Sequence, residues 1–271
     1  MSFWSAARAC RPAAVLAAGF LLAAAAPAVA ADDDLELLNP GEITVSTEGT
    51  FPPFSFKDAQ GNLDGLEIRL WKEIADRLGL EYKPVIMKWE STLVGLLSDQ
   101  FDVMGTTMDI TEERQKQITY SDGWIESGGR LLVREDSDIT SLDQVQGRTI
   151  GALVASSWGD SAKAHGAGEV KSYKAETDAI QDLVNGNLDG VVTDQIAAAY
   201  AIKQSKLPVR MVDGYLNRMQ KGWGFKRGKP NLVRAVNAAL AEIHADGTYE
   251  KITSDLIGMN PAPKEPFRSN L

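Results

Sequence analysis

Apolar positions along residues 41–257 alternate between two periods, and the switch between them predicts the order of elements. Ile43 and Val45 alternate with polar neighbours in Glu42 to Ser46, a strand pattern. Leu66, Leu70, Ile74 and Leu78 recur every four residues and predict an amphipathic helix, ended by Gly79. A strand at Tyr82 to Met87, a helix at Ser91 to Ser98 and a short apolar run at Phe101, Val103 and Met104 follow. That run passes Gly105, Thr106 and Thr107, and a helix begins near Thr111, which can cap it with Glu112 and Glu113 in the first turn. A strand opening into a helix N-terminus leaves unpaired N–H groups facing a crevice. One turn in, Arg114 carries a planar guanidinium suited to a bidentate grip on a carboxylate.

The alternation then repeats. Strands are predicted at Leu131 to Arg134, Thr149 to Leu153, Val170 to Tyr173, Leu188 to Thr193 and Val209 to Val212. Helices lie between them at Ser141 to Val145, Ser157 towards His165, Glu176 to Asn185 and Gln195 to Lys203. A short strand at Trp223 to Phe225 and helices at Asn231 to His244 and Thr248 to Leu256 complete the set. Pro52 and Pro53 break the ladder after Phe51, and Gly61-Asn62 marks a turn. β-α alternation implies mainly parallel sheets covered by helices, here two α/β lobes with strand C-termini facing a shared cleft.

The first 30 residues stand apart. Arg8 and Arg11 precede an apolar run from Ala13 to Ala26, too short to span a bilayer, and Ala28-Val29-Ala30 supplies small residues. This is the pattern of a secretory signal peptide, with cleavage expected after Ala30. Removing it takes the formal charge from −9 to −11, since it holds two arginines and no acid. An acidic exported protein is a poor candidate for nucleic acid or anionic membranes. Cys10 is the only cysteine, so the mature chain forms no disulfide. His165 and His244 fall on predicted exposed helix ends, and no Cys/His cluster or serine-nucleophile motif suggests catalysis, a metal or a cofactor.

Five stretches carry a resemblance. They are T-E-G-T-F-P-P-F (47–54), G-N-L-D-G-L-E-I-R-L (61–70), D-I-T-E-E-R-Q-K-Q-I-T-Y-S-D (109–122), L-D-G-V-V-T-D (188–194) and A-D-G-T-Y-E-K-I (245–252). In this order the chain resembles the periplasmic solute-binding proteins of polar amino-acid ABC transporters, family 3. The resemblance implies a two-lobed periplasmic-binding-protein fold of type II, with two hinge strands near Ile125–Gly128 and Arg218–Gly222. Lobe 1 is expected at 41–126 plus 220–260, lobe 2 at 127–219, and a C-terminal tail at 261–271. It implies a monomer that captures an amino acid in the periplasm and serves an inner-membrane ABC permease.

Residue roles follow from the same resemblance. Arg114 is expected to bind the ligand carboxylate and Asp194 its α-ammonium. Ser156 is expected to offer a backbone N–H, and Thr106 and Thr107 backbone or hydroxyl groups. Phe51 and Trp89 match the aromatic positions flanking the ligand side chain, and Glu48 the position reading its far end. An acid at Glu48 favours basic or donor-rich amino acids or opines. Asp109 stands where relatives carry Thr or Ser; it either caps the next helix with Glu112 or adds charge to the pocket. S-D-G-W (121–124) departs from the usual S-x-P-Y. The alternative is a cyclohexadienyl dehydratase-like enzyme, whose glutamate three residues after the lobe-two aspartate is Ala197 here.

Overall fold

The computed structural model describes residues 1–2 and 35–271. The signal segment and its cleavage point lie outside the described residues. Strand β1 (Glu42–Thr47) is followed by a small hairpin sheet, β2 (Thr50–Phe51), β3 (Ser55–Lys57) and β4 (Leu63–Asp64). Then come α1 (Leu66–Leu78), β5 (Glu81–Ile86), α2 (Trp89–Leu97), β6 (Val103–Asp109), α3 (Glu112–Gln115) and β7 (Thr119–Tyr120). The long β8 (Ile125–Arg134) leads to a 3-10 turn at Leu142–Val145, β9 (Thr149–Leu153), α4 (Ser157–Ala164), β10 (Glu169–Tyr173) and α5 (Glu176–Val184). Next are β11 (Gly190–Asp194), α6 (Gln195–Lys203), β12 (Val209–Met211), β13 (Asn217–Phe225), α7 (Pro230–Ala245) and α8 (Thr248–Ile257).

The main sheet runs β10-β9-β11-β8-β13-β6-β1-β5, with β12 on β8 and β7 on β13. Its flanks are parallel, β5-β1-β6 on one side and β10-β9-β11 on the other. Its centre is antiparallel, because β8 and β13 each run through it in opposite directions. The expected crossings therefore lie inside two long paired strands, with Gly128 opposite Arg218 and Ile125 opposite Lys221. Two expectations are corrected here. Leu131–Arg134 is the end of a ten-residue strand, and Trp223–Phe225 the end of a nine-residue one.

The stretch around Gly105 is also corrected. Instead of breaking there, β6 runs on to Asp109, with every residue buried. Glycine is needed for packing: a Cβ at 105 would come within 2.1 Å of Val45 Cγ1 and 2.9 Å of Trp71 Nε1. Helix α3 is only one turn, but Thr111 caps it as expected, its hydroxyl accepting from Arg114 N at 3.2 Å. Gly65 at the start of α1 has φ 134°, and a Cβ there would meet Phe54 O at 2.2 Å. The hairpin before it is held against α1 by Leu66 N to Pro53 O (2.9 Å) and Glu67 N to Phe54 O (3.0 Å).

In the core Trp124 stacks on Trp223 at 4.9 Å and Trp71 leans against the same indole at 4.6 Å and 52°. The C-terminal tail is not loose. Phe267 N–H donates to Gln220 Oε1 (2.6 Å) and its carbonyl accepts from Gly123 N (2.9 Å). Pro261 O accepts from Glu126 N at 2.9 Å, and Arg268 pairs with Asp122 at 2.6 Å. The tail thereby straps the start of β8 and the middle of β13.

Candidate functional site

Parallel strands on the two flanks of the sheet point their C-terminal ends at one cleft. From one side β1 delivers Glu48 just past its end, and β6 delivers Thr107, Met108 and Asp109. From the other, β9 delivers Leu153 and the α4 entry supplies Ser156, Ser157 and Trp158. Phe51, Trp89, Arg114 and Lys221 complete the wall, which bounds about 320 Å³ of free space including the cleft mouth. Seven of the nine expected residues line it; Thr106 and Asp194 are buried behind the wall.

Arg114 projects from the one-turn helix across the cleft. Its guanidinium donates to the carbonyls of Asp109 (3.1 Å) and Ala155 (3.3 Å), and lies 5.2 Å from the Trp89 ring centroid. Among the described residues, no carboxylate forms an ion pair with it. A cation stacked on an indole and bonded only to neutral carbonyls keeps its charge available for an anion.

Asp109 lines the cleft but does not cap the next helix. Thr111 caps α3, and the Asp109 carboxylate is turned to Lys221 Nζ through Oδ1 and to the Ser157 hydroxyl through Oδ2. Lys221 stands opposite Asp109 in the β13–β6 ladder, where side chains on adjacent antiparallel strands meet. Its side chain is only 2% exposed, and Nζ also lies 3.2 Å from Asp194 Oδ2. Burial alone would lower the Lys221 pKa, but Asp109 and Asp194 outweigh it and hold the ammonium above its usual value. Burial likewise pushes Asp109 up, and Lys221, Ser157 and Arg114 bring it below the ordinary aspartate range.

Asp194 is an N-cap: Oδ1 accepts from Ile196 N (2.8 Å) and from the Ser127 hydroxyl (2.8 Å). Among the described residues its other oxygen meets only the Lys221 ammonium, at 3.2 Å. Ser156 lines the cleft at the entry to α4. Both its N–H (3.3 Å) and its hydroxyl (2.6 Å) turn back to Leu153 O.

The acid expected at the far end of the ligand is buried: Glu48 is 8% exposed. Burial first, then the neighbouring Glu67 charge, pushes its pKa up to about 8. Glu67, at the first turn of α1, accepts from Thr107 N, and burial lifts it to about 7. Across the cleft, burial drives Glu176 well above the usual range while Thr193 donates to it. Near neutrality Glu48 is therefore mostly protonated and Glu67 about half so, whereas the mutual contact of Asp109 and Lys221 favours the charged form of each.

The aromatic arrangement differs from the expected sandwich. Phe51 stacks on Phe54 at 4.8 Å and meets Trp158 at 5.9 Å; Trp89 covers Arg114 instead. Sequence reasoning missed Trp158, Ser157 and Lys221. Lys221 had a signal: it is in phase with Met219, Trp223 and Phe225, so a strand over these residues buries it. His165 is half-buried at the end of α4, its Nδ1 2.9 Å from Ser161 O, and His244 stacks on Tyr249 at 4.0 Å; neither is near the cleft wall. Ala197 is buried and lines a different cavity, between α5 and α6.

Residues 43–259 match the profile of the bacterial extracellular solute-binding proteins, family 3. The chain belongs to that family. A similar protein is the L-cystine-binding protein TcyJ of Escherichia coli (strain K12), 29% identical over 221 residues that span 80% of this chain and 83% of the relative. Among solved structures, an ancestral arginine-binding protein bound to glutamine is 36% identical with a TM-score of 0.77, over 82% of this chain and all of that one. An ancestral amino acid-binding protein, AncCDT-1, a precursor of cyclohexadienyl dehydratase, is 30% identical with a TM-score of 0.76, over 80% of this chain and 96% of that one.

Proposed function

We propose that this family 3 protein is an extracytoplasmic receptor for an amino acid or an amino-acid-like carboxylate, delivered to an ABC permease. The carrying observation is the pairing, across one cleft, of Arg114, without an acid partner among the described residues, and the buried carboxyl of Glu48. Arg114 takes the ligand carboxylate. The ligand chain runs beside Phe51 and Trp158 towards Glu48, whose buried carboxyl can ionise only where a cation or a strong donor pairs with it. Basic or donor-rich side chains are favoured on that ground, and the relatives named for cystine and arginine, one of them holding glutamine, support the same class.

Catalysis is disfavoured by the chemistry of the wall. Its titratable groups are Glu48, Asp109, Arg114 and Lys221, of which Asp109 and Lys221 neutralise each other, and Ala197 carries no proton. Incubation with prephenate or arogenate is expected to yield no phenylpyruvate or phenylalanine above the buffer rate. The binding test is a competition series with arginine, lysine, glutamine, leucine and glutamate at fixed salt. Glutamate binding more tightly than every cationic ligand would refute the reading of Glu48.

A further inference from the structure

The acids that could receive a ligand's α-ammonium already hold one. Lys221 Nζ is paired with Asp109 Oδ1 and stands 3.2 Å from Asp194 Oδ2. The remaining carboxylate oxygens are also engaged, Asp109 Oδ2 by the Ser157 hydroxyl and Asp194 Oδ1 by Ile196 N and the Ser127 hydroxyl. Lys221 lines the cleft and Asp194 does not, so a ligand approaching Arg114 meets the lysine first. The Trp158 ring centroid, 5.8 Å from Nζ, closes the other side. Asp109 and Arg114 lie on the β6 flank of the sheet, Asp194 and Ser157 on the β9–β11 flank, and Lys221 on a strand that joins them.

We infer that Lys221 fills the ammonium subsite of the cleft and is the residue that sets what the ligand carries on its α-carbon. The inference rests on the cleft reading above. A primary α-ammonium placed beside Lys221 has to share two aspartates with it at close range, a like-charge juxtaposition in a poorly hydrated space. A neutral acceptor at the same carbon does not. Hydroxyl, oxo or acylamino oxygens instead accept from the lysine ammonium, which has three donors and one direct hydrogen bond to Asp109. The class of ligand selected is an α-substituted carboxylate with an uncharged, hydrogen-bond-accepting α-group. A donor or cation at its far end meets Glu48. Where the α-nitrogen is a free ammonium, Lys221 acts as a tethered competitor.

The test uses matched pairs that differ only at the α-carbon: arginine with its 2-hydroxy counterpart argininic acid, and histidine with imidazolelactate. Calorimetry on the full mature protein is expected to show the hydroxy member of each pair that binds to be at least as tight as the amino member. The double variant Asp109→Asn/Lys221→Met removes both charges of the pair together and leaves Asp194 as the one carboxylate free to receive an ammonium. It is expected to move the amino-to-hydroxy affinity ratio tenfold or more towards the amino acid. Wild-type protein binding the amino member more tightly, or a ratio that moves less than tenfold in a folded double variant, overturns the inference. If the double variant does not fold, the wild-type ratio alone decides. Failure of every one of the four compounds to bind wild-type protein, or binding that Arg114→Ala leaves unchanged, sinks the cleft reading itself.

Discussion

Binding of a cationic ligand should release a proton, and Glu48 is the source. With its pKa pushed to about 8, the free protein holds Glu48 about nine-tenths protonated at pH 7. A ligand guanidinium or ammonium within hydrogen-bond distance favours the carboxylate and returns the pKa towards the ordinary range. About 0.9 proton per ligand then leaves Glu48 at pH 7, and only about 0.1 at pH 9. Glu67 lies beside it and titrates near 7, so it takes up part of that proton as Glu48 ionises; the pair responds as a unit. Net release of roughly 0.5 to 0.9 proton is expected at pH 7. Ionising Glu48 there costs about 1.4 kcal/mol, one unit below its pKa, so affinity for the cation rises with pH by somewhat less than tenfold per unit up to about pH 8. The assay is titration calorimetry of arginine in buffers of differing ionisation enthalpy, on wild type, Glu48→Gln and Glu67→Gln. Glu67→Gln should remove that uptake while lowering the Glu48 pKa, so that release falls off at a lower pH than in wild type, and Glu48→Gln should abolish release together with the pH slope. Release below about 0.2 proton for every cationic ligand that binds, or equal release from Glu48→Gln, would show that the ligand's cation does not face this carboxyl.

Other outcomes follow from the same geometry. Arg114→Ala should weaken carboxylate ligands by about 2–5 kcal/mol, by calorimetry, with an unchanged circular dichroism spectrum, because its bonds in the fold are two long ones to carbonyls. Ligand-free protein should lose stability as pH rises from 5 to 8. A raised carboxyl binds its proton more tightly folded than unfolded, so its contribution is full below about 4.5 and is lost through the folded values near 7 and 8. For Glu48 alone this is at most about 5 kcal/mol, so the urea midpoint of wild type should fall more steeply from pH 5 to 8 than that of Glu48→Gln. Truncation after residue 260 should lower the melting temperature by removing the hydrogen bonds of Pro261, Phe267, Ser269 and Asn270 to the central strands and their neighbours, each worth about 0.5–1.5 kcal/mol. An unchanged melting curve would show that the strap contributes nothing.

The order of strands and helices was legible in the sequence because periodicity is local. Leu66, Leu70, Ile74 and Leu78 lie on one helix face whatever they pack against, and α1 forms over that range. Thr111 capping the turn that carries Arg114 needed only four consecutive residues. Arg114 was legible from its place one turn into a capped helix, whereas Glu48, Phe51 and Trp89 were marked only by the resemblance of their motifs to those of the family.

The partners of those residues were a different matter. Trp158 meets Phe51 across the cleft, and nothing within a few residues of either announces the other. The lengths of β8 and β13 escaped notice because their first halves are polar or glycine-rich, and are held in the sheet by pairing with each other more than by an apolar face. Asp109 shows the limit most clearly. Its neighbours Thr111 and Glu112 offered a capping role, and the strand end offered a ligand role. What decided its state was the register that sets it opposite Lys221, 112 residues along the chain. A buried carboxylate takes its charge from whatever ion stands within hydrogen-bond reach. Only the folded sheet determines which ion that is.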